Sequence, residues 1–168
     1  WWGTFAVPPS YNLKGKPTHA PGDPYKQINF RGQHDNYYWA MKHNYIDNKT
    51  SRIFGNMAIA YTPLEWISVN YRVGVDEYTT QNKTVIEKGS GSGRTDPPSG
   101  GTISNDMLHH RQINSNLNVT VTRRFGDSFT ADLMVGNEFY DIQGRGVTND
   151  GSDIVIGGFH HISNTAIQ

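Results

Sequence analysis

Apolar and polar residues alternate along four stretches of the chain, and a period of two predicts β-strands. The clearest stretch sets Ile67, Val69, Tyr71, Val73 and Val75 on one parity and Ser68, Asn70, Arg72, Gly74 and Asp76 on the other. Before it, Ile53, Met57, Ile59 and Tyr61 share a parity interrupted only by Gly55, with Arg52 and Asn56 opposite. Further on, Ile113, Leu117, Val119 and Val121 alternate with Asn114, Asn116, Asn118, Thr120 and Thr122. Phe129, Ala131, Leu133, Val135 and Phe139 then face away from Thr130, Asp132, Gly136 and Glu138. A slip of one residue would exchange the two faces, so face assignment is strongly determined. No window fits a helical period, and the expected fold class is all-β.

The connections alternate in length. Thr62-Pro63-Leu64-Glu65 and residues 123–128 predict short turns, the first helped by the fixed proline dihedral. Residues 81–106 are rich in Gly, Ser, Thr and Pro and predict a long loop. The chain after Asp141 predicts another, with room for a small hairpin about Ile154-Val155-Ile156. Residues 1–50 hold five of the eight prolines, Pro8-Pro9 among them, and predict an irregular extended segment without helix. The expected organisation is an irregular segment over 1–50, antiparallel strands over 51–141, and a loop over 142–168.

Alternation alone does not say whether the apolar face meets a protein core or lipid, since a soluble sandwich has the same period. Three features favour lipid. Strands of about eleven residues at roughly 3.3 Å each, tilted near 45°, span about 25 Å, the height of a bilayer's apolar band. With four antiparallel strands, both short turns fall on one rim and the long loops on the other, as in outer-membrane barrels. Aromatic residues gather near the strand ends: Tyr61, Trp66, Phe125 and Phe129 by the short turns, Tyr78, Phe139 and Tyr140 by the loops. Exposing Arg72 to hydrocarbon near the midplane would cost about 2–4 kcal/mol, so its parity is expected to face a polar lumen.

Composition narrows the function. Fifteen Lys and Arg balance fifteen Asp and Glu, which leaves no basic footprint for nucleic acid. The absence of cysteine removes disulfides, thiolate metal sites and a cysteine nucleophile. A mean hydropathy of −0.63, without any run near 18 apolar residues, excludes a membrane helix but not a membrane strand. Four strands cannot close around a polar interior, so the chain is expected to be part of a larger barrel. The opening Trp1-Trp2-Gly3, unlike a signal peptide, agrees with that expectation.

The residues Asn36-Tyr37-Tyr38-Trp39, Arg52-Ile53-Phe54-Gly55-Asn56, Thr62-Pro63-Leu64-Glu65-Trp66 and Tyr71-Arg72-Val73-Gly74-Val75-Asp76-Glu77-Tyr78 follow one another at strand spacing. Together with Phe125-Gly126-Asp127-Ser128 and Val135-Gly136-Asn137, this resembles the barrel of SusC/RagA-type TonB-linked outer-membrane proteins, over roughly residues 35–141. Tyr37 stands where the family pattern has proline, and Ser51 where it has aspartate. The resemblance implies a TonB-dependent importer of oligosaccharides or oligopeptides in the outer membrane of a Gram-negative bacterium. It further implies a 22-stranded barrel with a plug, a SusD-like surface lipoprotein as lid, and TonB as energy source through a region outside this chain. No enzymatic activity and no cofactor are expected.

Candidate ligand contacts follow from the polar parity: Arg52, Asn56, Asn70, Arg72, Asp76, Asn114, Asn116, Asn118, Asp132 and Glu138. Of these, Arg52, Asn70, Arg72, Asp76 and Asn116 are the foremost, and the alternative is that they satisfy one another and water. Tyr37, Tyr38 and Trp39 offer flat faces for stacking on a sugar or peptide, or serve as an anchor for their loop. His109-His110 and His160-His161 cannot each share one ion, because strand neighbours point to opposite faces. A soluble β-sandwich carbohydrate-binding module is the alternative function.

Overall fold

The computed structural model describes residues 10–28, 35–91 and 99–168. The prolines at 8, 9, 97 and 98 lie outside the described residues. The fold is all-β, with two strands in one small sheet and five in a larger antiparallel sheet. In chain order the elements are β1 (His19–Ala20), β2 (Asp23–Gln27), α1 (Tyr37–His43), β3 (Tyr45–Leu64), β4 (Ile67–Ile86), β5 (Thr102–Phe125), β6 (Phe129–Ile154), a 3-10 turn (Ile162–Asn164) and β7 (Thr165–Ile167). The small sheet pairs β1 with β2, and the larger one has the order β3-β4-β5-β6-β7.

The short turns predicted after β3 and after β5 are present, tightened to residues 65–66 and 126–128. Pro63 falls within β3, where an edge strand tolerates the missing N–H. The strands run well past their predicted ends. β4 continues to Ile86 instead of about Thr80, β5 begins at Thr102, and β6 extends to Ile154. The loop expected over 81–106 is thus shortened to 87–101, and half of the segment expected as a loop after Asp141 is strand. Alternation marks only those parts of a strand whose two faces differ; where both faces are polar, the backbone ladder continues without a visible period. A short antiparallel pairing does occur near the chain end, with Ser152 opposite Ile167 and Ile154 opposite Thr165.

Residues 1–50 are not free of helix. α1 is seven residues long, capped by Asn36, whose side chain accepts hydrogen bonds from the backbone N–H groups of Tyr38 and Trp39. Two turns with one buried residue, Trp39, are too short for helical periodicity to be visible in the sequence.

The chain divides into two compact units. The first comprises residues up to Lys49, Gln81–Met107 and Val147–Gln168; the second comprises Thr50–Thr80 and Leu108–Gly146. Among the described residues, every buried large apolar side chain, namely Trp39, Val85, Ile103 and Ile154, belongs to the first unit. The second unit has no buried residue at all. Its strands present Ile53, Met57, Ile59, Leu133, Val135 and Phe139 at half exposure or more.

Candidate functional site

In the second unit the even-numbered side of the sheet carries the polar residues. Gly74 lies against the Asn114 side chain and Gly136 against that of Asn118, so these residues share a face. The same register is seen where Thr122 N donates to Trp66 O at 2.9 Å and Thr122 Oγ1 donates to Asp132 at 2.6 Å. Phe54 and Met134 are apolar exceptions on this side, 75% and 69% exposed, so the face is mixed and not purely polar.

Arg52 and Asp76 meet in a two-pronged ion pair. Nε donates to Oδ1 at 2.8 Å and Nη2 to Oδ2 at 2.5 Å, the fork geometry that guanidinium and carboxylate share. The Arg52 guanidinium also lies 5.5 Å from the Phe54 ring centre, and Tyr78 stacks on His110 at 4.9 Å. These side chains occupy one another, which leaves the pair electrically neutral. Beside it is a depression of about 370 Å³ lined by Asn56, Arg72, Asp76, Gln112 and Asn114. A second depression of about 300 Å³ is lined by Asn70, Arg72, Asn116 and Asn118 over a floor of Ala58 and Ala60. Arg72 borders both. Asn118 Nδ2 donates to Asn116 Oδ1 at 2.5 Å, which leaves the Asn116 amide N–H groups free to donate elsewhere.

Seven of the ten expected contacts, among them the foremost Asn70, Arg72, Asp76 and Asn116, therefore line these two depressions; Arg52 is tied to Asp76, and Asp132 and Glu138 line neither. The opposite side has its own polar cluster: His109 contacts Glu77 at 3.4 Å and Thr79 at 3.1 Å. His109 and His110 thus engage odd-numbered and even-numbered neighbours respectively, as alternation requires.

The first unit gathers a different set. Trp39 is fully buried, its indole N–H donates to Pro24 O at 2.7 Å, and its ring stacks on His43 at 4.6 Å. With no exposed face it has none to offer a solute, so of the three aromatic candidates it is the anchor. Tyr37 and Tyr38 are 42% and 47% exposed and keep accessible rings. Gln27, which no sequence pattern singles out, joins Asp35, Asn36 and Gly89 through hydrogen bonds of 2.6–2.8 Å.

Glu87 is the other residue that sequence reasoning missed. It is completely buried, and its carboxyl group accepts from Lys88 N at 2.9 Å and Gly158 N at 3.0 Å and lies 2.6 Å from His160 Nε2. Tyr45 contacts the other imidazole nitrogen of His160, and Lys83 Nζ donates to the His160 carbonyl. His160 is thereby part of a network with Glu87, Tyr45 and Lys83. Burial, reinforced by the charge of Glu87, raises the Tyr25 phenol above its ordinary value. Burial likewise lowers the His43 imidazole, against the opposing pull of Glu87. A buried Glu in a loop of mixed composition leaves no periodic signal, which is why only the fold reveals it.

Among the described residues, no group of His, Cys, Asp and Glu is arranged to hold a metal ion, and no helix is long and apolar enough to cross a membrane. Comparison of the chain with known protein families finds no matching family, and comparison with curated proteins finds no match either. The class defined by the fold is accordingly an all-β protein whose larger sheet carries an open polar face.

Proposed function

We propose that the chain is part of the barrel wall of a TonB-dependent outer-membrane nutrient importer. It would take up oligosaccharides or oligopeptides with a SusD-like surface lipoprotein over its mouth, and TonB would supply the energy through a region outside this chain. Outer-membrane lipid covers the odd-numbered side of the sheet from the short turns up to about Val73 and Phe139, leaving the Glu77–His109 and Arg111–Asp141 contacts beyond the hydrocarbon, and the even-numbered side faces the lumen. The barrel wall performs no chemistry of its own.

The observation that carries this reading is the bare apolar face of the second unit. Ile53, Leu133 and Val135 are 78%, 64% and 63% exposed, on strands of 20 to 26 residues. Side chains of this kind left open in a row call for hydrocarbon or another apolar layer. A soluble carbohydrate-binding sandwich would need a second sheet over them, and the described residues of that unit supply none. Strand length supports lipid over a protein layer, since soluble strands average five or six residues.

The face assignment is tested by paired substitutions in the full-length protein. Val73→Arg is expected to disfavour membrane assembly by about 2–4 kcal/mol, whereas Asn70→Arg is tolerated. The readout is the folded, protease-resistant fraction in the outer membrane. Equal tolerance of both would overturn the lipid-facing side.

A further inference from the structure

We infer that Arg72, Asn116 and Glu138 form a subsite for a dipolar solute that bears both a carboxylate and an ammonium group, as a short peptide does. The inference rests on the polar face lining a water-filled passage, and it selects peptides over neutral oligosaccharides within that reading.

The contacts that define register place these residues in one row. Gly74 against Asn114, together with Thr122 N on Trp66 O, sets Arg72 beside Asn116. Gly136 against Asn118, together with Thr122 on Asp132, sets Asn116 beside Glu138. All three project from the even-numbered side, and two strand spacings put the outer α-carbons about 10 Å apart.

Charge bookkeeping on this face singles the row out. Arg52 is neutralised by Asp76, whereas Asp132, which keeps its charge while accepting from Thr122, lies six residues along β6 from Glu138, about 20 Å away. Among the described residues, the side chains of Arg72 and Glu138 make no hydrogen bond or ion pair. Both are exposed, so neither charge is costly as it stands, and both keep their full capacity for a partner. A lone cation would recognise any anion, and a lone carboxylate any cation. A cation and a carboxylate in one row, with the free amide N–H groups of Asn116 between them, match a solute whose own charges are opposite and separated. The guanidinium offers a carboxylate two parallel hydrogen bonds, and the glutamate accepts from an ammonium. A neutral sugar would leave both charges without counterparts.

The experiment uses the full-length protein in detergent micelles and measures binding of four probes by calorimetry. They are trialanine, its N-acetyl derivative, its C-terminal amide, and the N-acetyl amide that carries no charge. Trialanine is expected to bind at least about tenfold more tightly than either singly charged probe, a factor equivalent to about 1.4 kcal/mol. Arg72→Gln should abolish the preference for a free carboxylate and leave the preference for a free amine; Glu138→Gln should do the reverse. Equal binding of the neutral probe, or no binding of any probe, overturns the subsite. So does coupling of the two substitutions in thermal stability without any effect on the probes, which would mean that the two charges serve only each other. A separate arm labels Val73→Cys and Asn70→Cys variants with a water-soluble maleimide in lipid vesicles. Equal labelling refutes the passage reading itself, whereas protection of position 73 alone, with no discrimination among peptides, refutes only the subsite.

Discussion

Trp39 shows how one side chain can organise an otherwise irregular segment. Its ring has no exposed surface, its N–H is matched by Pro24 O, and Asn36 caps the short helix that carries it. Trp39→Ala should cost about 3–5 kcal/mol, because the site is the largest filled volume in a small core. Trp39→Phe should cost less, the lost hydrogen bond accounting for about 1 kcal/mol. Both are read from hydrogen-exchange protection of the α1 amides, and unchanged protection in Trp39→Ala would remove its anchoring role. The sequence offers Tyr37, Tyr38 and Trp39 as equivalent stacking faces, because three adjacent aromatics do not announce which one turns inward. A seven-residue helix resolves this by rotating each residue about 100° from the last, so that one of the three is buried and two are exposed.

The strands illustrate the opposite case, in which the pattern was plainly visible where the faces differ and silent elsewhere. Ile67 to Asp76 was readable because every second residue is apolar, whereas residues 142–154 of β6 mix Gly, Arg, Asn and Asp and give no period. Face membership of Arg72 and Asn116 was accordingly legible, while the neutralisation of Arg52 by Asp76 was not, since it depends on which rows lie side by side. Glycines at the strand ends carry information of another sort. Gly101 has φ +86°, and a Cβ there would meet Lys88 N at 2.6 Å and Ile86 O at 2.8 Å; Gly126 has φ +63° with open space around it. Gly126→Ala should cost only the left-handed backbone penalty of about 1–2 kcal/mol. Gly101→Ala adds backbone crowding of about 1–3 kcal/mol. Denaturant midpoints in matched detergent compare the two, and equal losses would show that the approach of residues 86–88 to Gly101 is not a tight one.

At the scale of the molecule, two units of the same chain differ in how much they bury. The first buries Trp39, Val85, Ile103 and Ile154 and closes a polar network on Glu87, so its order draws on contacts within itself. The second has no fully buried residue and leaves much of its apolar side open, so backbone ladders and surface contacts would have to hold it in water. Hydrogen bonds contribute about 0.5–1.5 kcal/mol each once exchanged against water, and ordering a residue's backbone costs about 1–2 kcal/mol. An uncovered sheet therefore does not gain enough from its ladder to stay ordered. When the protein is moved from lipid or detergent into plain buffer, amides in Thr50–Thr80 and Leu108–Gly146 should lose exchange protection, while those about Trp39 and Val85 keep theirs. Uniform retention of protection, in a monomer that stays dissolved without amphiphile, would mean that the apolar face does not need hydrocarbon and would favour the soluble binding module instead. Uniform loss would mean that the first unit's core is insufficient by itself, which its four buried apolar residues make a quantitative question and the exchange rates at Val85 answer directly.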